Sequence, residues 1–260
     1  MSTEQDLIYR TEENLAWVIV NRPDQRNAFT FEMYDRLYDL AEEIDRNDQV
    51  RAVIVRGEGG KSFASGTDIR QFADFKTREQ VLAYEERMAR NLGRFATINK
   101  PTIALIEGFC IGGGLGLASA CDLRYCTPES QFGLPPATLG NVFAPPIIFR
   151  LLMLIGPARM KELLYTARRV KAREAADMGM VNDIFAADEI ESRVKIVART
   201  IARNAPLTVQ ASKGMVNKMV AQLAPQWQGE EFLLRTYLSE DFAEGVRAFL
   251  EKRTPEWKGK

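Results

Sequence analysis

Pro101-Thr-Ile-Ala-Leu-Ile-Glu107 runs through Gly108-Phe-Cys-Ile-Gly-Gly-Gly114 into Leu115-Gly-Leu-Ala-Ser-Ala120, an apolar strand, a glycine run and a helix of small residues. The first N–H groups of a helix have no acceptor inside it, and the aligned peptide dipoles leave that end partly positive. Glycine at Gly112, Gly113 and Gly114 removes the Cβ that would keep a ligand oxygen away from those donors. The same run also serves as a tight strand-to-helix turn in which glycine permits close packing. A second segment, Lys61-Ser-Phe-Ala-Ser-Gly-Thr-Asp-Ile69, favours the first reading, because it too follows an apolar strand, Ala52-Val-Ile-Val-Arg56, across the glycines Gly57, Gly59 and Gly60. Backbone donors at the ends of two parallel strands can converge on one carbonyl oxygen, the geometry that stabilises an oxyanion.

Strands alternate with crossover helices along much of the chain, which predicts an α/β core with mostly parallel strands. Two short strands are expected within residues 6–20, where Leu15, Trp17 and Ile19 alternate with Ala16, Val18 and Val20. An amphipathic helix follows over 31–45, with Met33, Leu37, Leu40 and Ile44 on one face, and another over 79–95. Strands are expected at 52–55, 102–106, 122–126 and 181–185. From about Pro145 the pattern turns helical, with helices over 146–154, 157–166, 172–178, 188–204 and 206–220 and a last one over 229–252. Ligands of such folds bind at the carboxyl ends of the strands, where both glycine segments lie.

Composition narrows the chemistry. Of the 260 residues, 46% are hydrophobic, ample for one large core. Lys plus Arg and Asp plus Glu number 35 each, without a basic block, so neither nucleic acid nor an anionic membrane surface is expected as a partner. The polar N-terminus and the lack of a membrane-length apolar run lead to the expectation of a cytoplasmic protein. Cys110, Cys121 and Cys126 lack metal-ligand spacing and lie in apolar surroundings, which reads as buried thiols. Histidine is absent, so proton transfer falls to Asp, Glu, Lys, Tyr, Cys or water.

Phe63-Ala-Ser-Gly-Thr-Asp-Ile69 and the segment from Gly108 to Asp122, with Asn21-Arg-Pro-Asp-Gln-Arg-Asn-Ala28 and Ser239-Glu-Asp-Phe-Ala-Glu-Gly-Val-Arg-Ala-Phe-Leu-Glu-Lys-Arg-Thr-Pro255, resemble the crotonase superfamily, the enoyl-CoA hydratase/isomerase family. The resemblance spans nearly the whole chain. It implies an α/β fold, a crotonase-like spiral of ββα units over residues 1–200, with a C-terminal helical region over 201–260 that assembles trimers or dimers of trimers. It implies an acyl-CoA thioester as substrate, with no other cofactor and no metal. The oxyanion donors would be the backbone N–H groups of Thr67 and Gly113. Coenzyme A would run past Arg26, Ala28, Ala64, Asp68 and Ile69, with Phe249 and Lys252 contributed by a neighbouring subunit. For Asp68 a loop-capping role competes with ligand contact; Asp122 reads as structural. Pro136, Leu139 and Phe143 would line the acyl pocket, with Pro145 and Pro146 extending an apolar wall.

The resemblance fails at the acid/base positions. Hydratases of this family use two glutamates, and here those positions hold Gly116 and Pro136; the aspartate of halide-displacing relatives is replaced in the region of Ala144. Three readings remain open. Decarboxylation generates the enolate without acid/base help, as in methylmalonyl-CoA decarboxylase-like members, whose pocket segment resembles Leu134-Pro-Pro-Ala-Thr-Leu-Gly140. Those members carry a histidine at the Thr67 position and a tyrosine near Phe143. Alternatively, a carboxylate enters from the helix region that holds Asp74, Glu79, Glu85 and Glu86, although a helix presents most such groups to solvent. Finally, the protein binds acyl-CoA without turning it over. Thr138, Asn141 and Tyr84 are further polar candidates near the acyl pocket.

Overall fold

In a computed structural model, which describes residues 3–73, 75–224 and 230–260, the strand Thr102–Ile106 is buried along its entire length. A strand covered on both faces belongs in the middle of a parallel sheet. The first half of the chain contains α1 (Thr3–Asp6), β1 (Leu7–Glu12), β2 (Leu15–Val20), α2 (Phe31–Arg46), β3 (Ala52–Gly57), β4 (Ser62–Ala64) and α3 (Arg78–Ala96). It continues with β5 (Thr102–Ile106), β6 (Phe109–Ile111), α4 (Gly113–Ala120), β7 (Leu123–Cys126) and β8 (Gln131–Gly133). The remainder is α5 (Pro145–Thr166), β9 (Val170–Lys171), α6 (Ala172–Asp177), β10 (Asp183–Ile184), α7 (Ile190–Arg203), α8 (Pro206–Leu223), α9 (Glu230–Tyr237) and α10 (Glu240–Glu251).

Six strands form one sheet in the order β1-β2-β3-β5-β7-β10, antiparallel at β1–β2 and parallel thereafter. A smaller sheet runs β4-β6-β8-β9. The chain places β3, β5 and β7 in the large sheet and then β4, β6 and β8 in the small one, so successive strand pairs step along both sheets. This is the expected spiral of ββα units.

Period-two alternation sorts the large sheet's side chains. Ala16, Val18, Val20, Val53, Val55, Ala104 and Ile106 join the core built with α2 and α4, whereas Trp17, Ile19, Ile54, Ile103 and Leu105 pack against Ile190, Val194 and Ala198 of α7. Helix α2 starts at Thr30, whose side chain accepts from the Met33 N–H, and its buried face carries the expected Met33, Leu37, Leu40 and Ile44. The three cysteines are buried and unpaired, and burial pushes the Cys121 and Cys126 thiols up to about 12.

Several boundaries differ from the sequence reading. Pro145–Thr166 keeps the two expected helices, which meet end to end at Gly156, whose φ 77° and ψ 166° are non-helical, with Pro157 opening the second. The helix expected over 229–252 is two, because Ser239 starts α10 as its N-cap, accepting from the Phe242 N–H at 3.0 Å; residue 229 lies outside the described residues. The strand expected at 181–185 contracts to Asp183–Ile184 beside β7. Among the described residues no helix is long and apolar enough to cross a membrane.

Asp122 is structural. Its Oδ2 accepts from the Thr102 N–H at 2.7 Å and from Lys213 Nζ at 2.7 Å, tying α8 to the start of β5. The Lys213 side chain is only 8% exposed, so removing its partner would strand a buried ammonium. Asp122→Ala is therefore expected to lower the unfolding free energy by about 2 kcal/mol. Urea unfolding checks this, and the double variant Asp122→Ala, Lys213→Met should lose less.

Candidate active site

Both glycine segments reach one cleft, formed where two stretches of backbone approach without side chains between them. Gly66 (φ 106°) and Gly112 (φ 57°) hold left-sided backbone conformations that favour glycine. A Cβ on Gly66 would stand 3.3 Å from the Gly113 nitrogen; one on Gly113 would stand 3.4 Å from the Thr67 nitrogen and 2.5 Å from Tyr34 Oη. Gly114 is pressed still harder, its Cβ position lying 2.1 Å from the Ala64 carbonyl oxygen. The segment around Thr67 is pinned from the other side, because Phe29 donates to the Gly66 carbonyl and accepts from the Asp68 N–H, each at 2.8 Å. Among the described residues, the N–H groups of Thr67 and Gly113 have no acceptor within the chain. Gly113 opens α4, so its free N–H also lies at the positive end of the helix.

The Thr67 side chain is held by two tyrosines. Its Oγ1 lies 3.1 Å from Tyr34 Oη and 3.4 Å from Tyr84 Oη. Burial pushes both phenols above their ordinary range, so they are neutral hydrogen-bonding posts.

The cleft spans about 590 Å³ when the open solvent at its mouth is counted. Its lining is mostly apolar. Ile69, Pro136, Leu139 and Phe143 line it, and Tyr84 and Asn141 reach it as well. Ala144 and Ile147 continue the apolar wall that the sequence reading assigned to Pro145 and Pro146. Thr138 does not reach the cleft; it is exposed and its hydroxyl donates to the Pro135 carbonyl at 2.8 Å. Gly116 packs against Ile147, whose Cδ1 lies 2.9 Å from where a Cβ would stand.

The remaining candidates lie outside this lining. Arg26 is exposed, with its guanidinium 5.7 Å from the Phe109 ring centroid. Ala28 is half-buried and its carbonyl accepts from Arg22, while Ala64 is buried against Gly114. Asp68 caps the turn Ile69–Phe72, accepting from the Arg70 N–H at 3.2 Å and Nε at 2.8 Å, and Arg22 stands 3.6 Å away. These bonds to Arg70 hold its carboxyl below the usual range. Phe249 and Lys252, at the end of α10, are exposed.

Among the described residues one carboxylate lines the cleft, Glu85 of α3. Glu79 and Glu86 are exposed, and Asp74 lies outside the described residues. Glu85 shares the buried face of α3 with Val81, Met88, Leu92 and Phe95, a spacing that could have marked it as inward-facing. Burial pushes its carboxyl up to about 7, against the opposing pull of the Tyr237 hydroxyl. Tyr237, missed by the sequence reading, comes from α9, which with α10 packs on the turn Ile69–Phe72 and α3. Its ring lies 4.9 Å from that of Phe242 and 6.4 Å from that of Phe72.

The chain matches the enoyl-CoA hydratase/isomerase family over residues 10–260. It belongs to that family. A crotonyl-CoA hydratase of Syntrophomonas wolfei is 33% identical over 96% of each chain. A short-chain-enoyl-CoA hydratase of Clostridium acetobutylicum is 32% identical over 95% of each. Among solved structures, methylmalonyl-CoA decarboxylase complexed with 2S-carboxypropyl-CoA aligns with a TM-score of 0.89 at 27% identity, covering 98% of this chain and 99% of that one.

The raised Glu85 carboxyl has a consequence for stability. The folded chain keeps this proton to higher pH than the unfolded chain, so stability contributed by the neutral form is lost as pH rises from 4.5 through about 7. Glu85→Gln should flatten that slope, stabilising the protein by about 3 kcal/mol at pH 8 and little at pH 4. Thermal unfolding of both proteins between pH 4 and 8 checks it.

Proposed function

We propose that this family member binds the thioester of an acyl-CoA and stabilises its enolate between the N–H groups of Thr67 and Gly113. The observation that carries the reading is the pair of unused backbone donors, from two strand ends, against one apolar cleft. A donor of this kind contributes about 2.7–4 kcal/mol to a transition state in which charge develops on the carbonyl oxygen. Coenzyme A would pass along Arg26, Ala28, Ala64 and Ile69. Asp68, with its carboxylate engaged by Arg70, would shape that loop. Phe249 and Lys252 would meet the nucleotide of a neighbouring subunit in a trimer or dimer of trimers. The exposed Leu207, Met215, Val216 and Met219 of α8 suit such self-association. Three buried free thiols suit a reducing, cytoplasmic setting.

Hydration fits this site poorly. Activating a water and protonating the α-carbon calls for two carboxylates, and the positions where the resemblance puts them carry Gly116, covered by Ile147, and Pro136. An apolar lining also excludes the water that hydration consumes.

A methylmalonyl-CoA-decarboxylase-like reaction is the second reading, favoured by the structural likeness to that enzyme. Loss of CO2 would generate the enolate without a base. A site that only bound acyl-CoA would show tight association and no change of mass. Incubation with enoyl-, 3-enoyl-, malonyl- and methylmalonyl-CoA in deuterated water, read by mass spectrometry, separates these outcomes. Deuterium uptake or CO2 loss without water gain is expected, and water gain would overturn the preference against hydration.

Gly113→Pro removes one donor and should reduce turnover by about a hundredfold or more. Gly113→Ala is the control, since it adds a Cβ against Tyr34 but keeps the N–H. Equal turnover in the two variants would contradict the assignment of that donor.

A further inference from the structure

Glu85 occupies a position where the fold calls for an apolar side chain. Along α3 the buried stripe runs Val81, Glu85, Met88, Leu92, Phe95, and the carboxylate stands in its middle, 7% exposed. Its Oε2 has no hydrogen-bond partner among the described residues, nor has Oδ1 of Asn141, which lines the same cleft. Leaving a buried polar atom unpaired costs roughly 1–3 kcal/mol, and more for a charged group. Leucine or methionine would serve the packing of α3 without that cost. The polar wall is assembled from three separate elements, with Asn141 Nδ2 donating to Tyr237 Oη at 3.4 Å and Tyr237 Oη donating to the Val142 carbonyl at 3.3 Å, beside Glu85. Such a group, unpaired and facing a cleft that also holds two unused N–H donors, is arranged for a ligand.

We propose that Glu85 is the proton-transfer carboxylate of this site, removing a proton from the α-carbon of a bound acyl-CoA thioester and returning it to the α- or γ-carbon. The assignment rests on the enolate reading above. With a 3-enoyl-CoA, the carboxylate takes the C2 proton, the C2–H pair forms a C1–C2 double bond, and the carbonyl π pair moves onto oxygen. When that pair returns, the double bond shifts to C2–C3, the C3–C4 π pair takes the proton from Glu85 at C4, and a 2-enoyl-CoA results. No water, oxidant or second acid is consumed, as a site with one carboxylate requires. Near neutral pH a carboxyl at about 7 is present in both forms, so it can accept the proton and give it back.

The titratable groups facing Glu85 are Tyr84 of its own helix and Tyr237 of α9, both held neutral by burial. No Lys or Arg among the described residues lines the cleft. The rate should therefore rise with pH through about 7 as Glu85 ionises.

The test uses two probes, butyryl-CoA for α-proton exchange in deuterated water and trans-3-hexenoyl-CoA for double-bond migration, with binding of each measured by calorimetry. The wild type should exchange and isomerise. Glu85→Gln should lose about a hundredfold or more in both while binding the thioesters within about threefold, and Glu85→Asp should recover part of the rate. Circular dichroism and the retained binding show that each variant is folded. Wild-type rates in a folded Glu85→Gln, or a wild type that binds without exchange, overturn the proposal. Exchange lost in Glu85→Gln but kept in Gly113→Pro supports Glu85 and overturns the oxyanion hole instead. A wild type that binds neither thioester sinks the enolate reading and this proposal with it.

Discussion

The site depends on two stretches of backbone meeting with nothing between them. Residues 64–67 and 112–114 come from neighbouring strand ends, and glycine stands wherever a Cβ would separate them. At Gly114 the obstruction would be the Ala64 carbonyl, and at Gly66 it would be the Gly113 nitrogen itself. The parallel pairing of β4 with β6 and of β3 with β5 brings both loops to the same end of the sheets. Two N–H groups are left without acceptors among the described residues as a direct result. In a cleft shielded from water such donors act on developing charge far more strongly than they would in bulk solvent.

The rest of the cleft is built to be dry and adaptable in chemistry. Ile147, Leu139, Phe143 and Pro136 line it. The C-terminal helices α9 and α10 close it from the same chain through Tyr237 and Phe242, packed edge-on against Tyr84 and Phe72. Into this apolar surrounding the chain sends a carboxylate from α3, an element different from those in which family resemblance places the hydratase glutamates. A fold that supplies the enolate hole from backbone alone is free to take its acid or base from whichever helix borders the cleft.

The large sheet and the two glycine segments were legible in the sequence because their causes are local. Alternation in Leu15–Val20 reports which face each side chain meets, and glycine reports a close approach wherever φ is positive. Asp122 was legible for the same reason, as a loop acceptor next to the strand it caps. Tyr237 was not, since its place in the wall depends on how α9 folds back over a segment far earlier in the chain. Glu85 was only half legible. Its spacing from Val81 and Met88 marks the buried face of α3, but a glutamate on a helix is ordinarily solvated, and only the fold sets it against the cleft. Asp68 shows the opposite case, a carboxylate near the site whose neighbour Arg70 takes up its hydrogen-bonding capacity.

Everything else rests on the position of one atom. A crystal structure of the protein with a bound acyl-CoA thioester would show where the carbonyl oxygen lies. That oxygen is expected to accept from both Thr67 and Gly113, at about 2.7–3.1 Å from each nitrogen. An ordered thioester whose oxygen meets neither nitrogen would contradict the enolate reading.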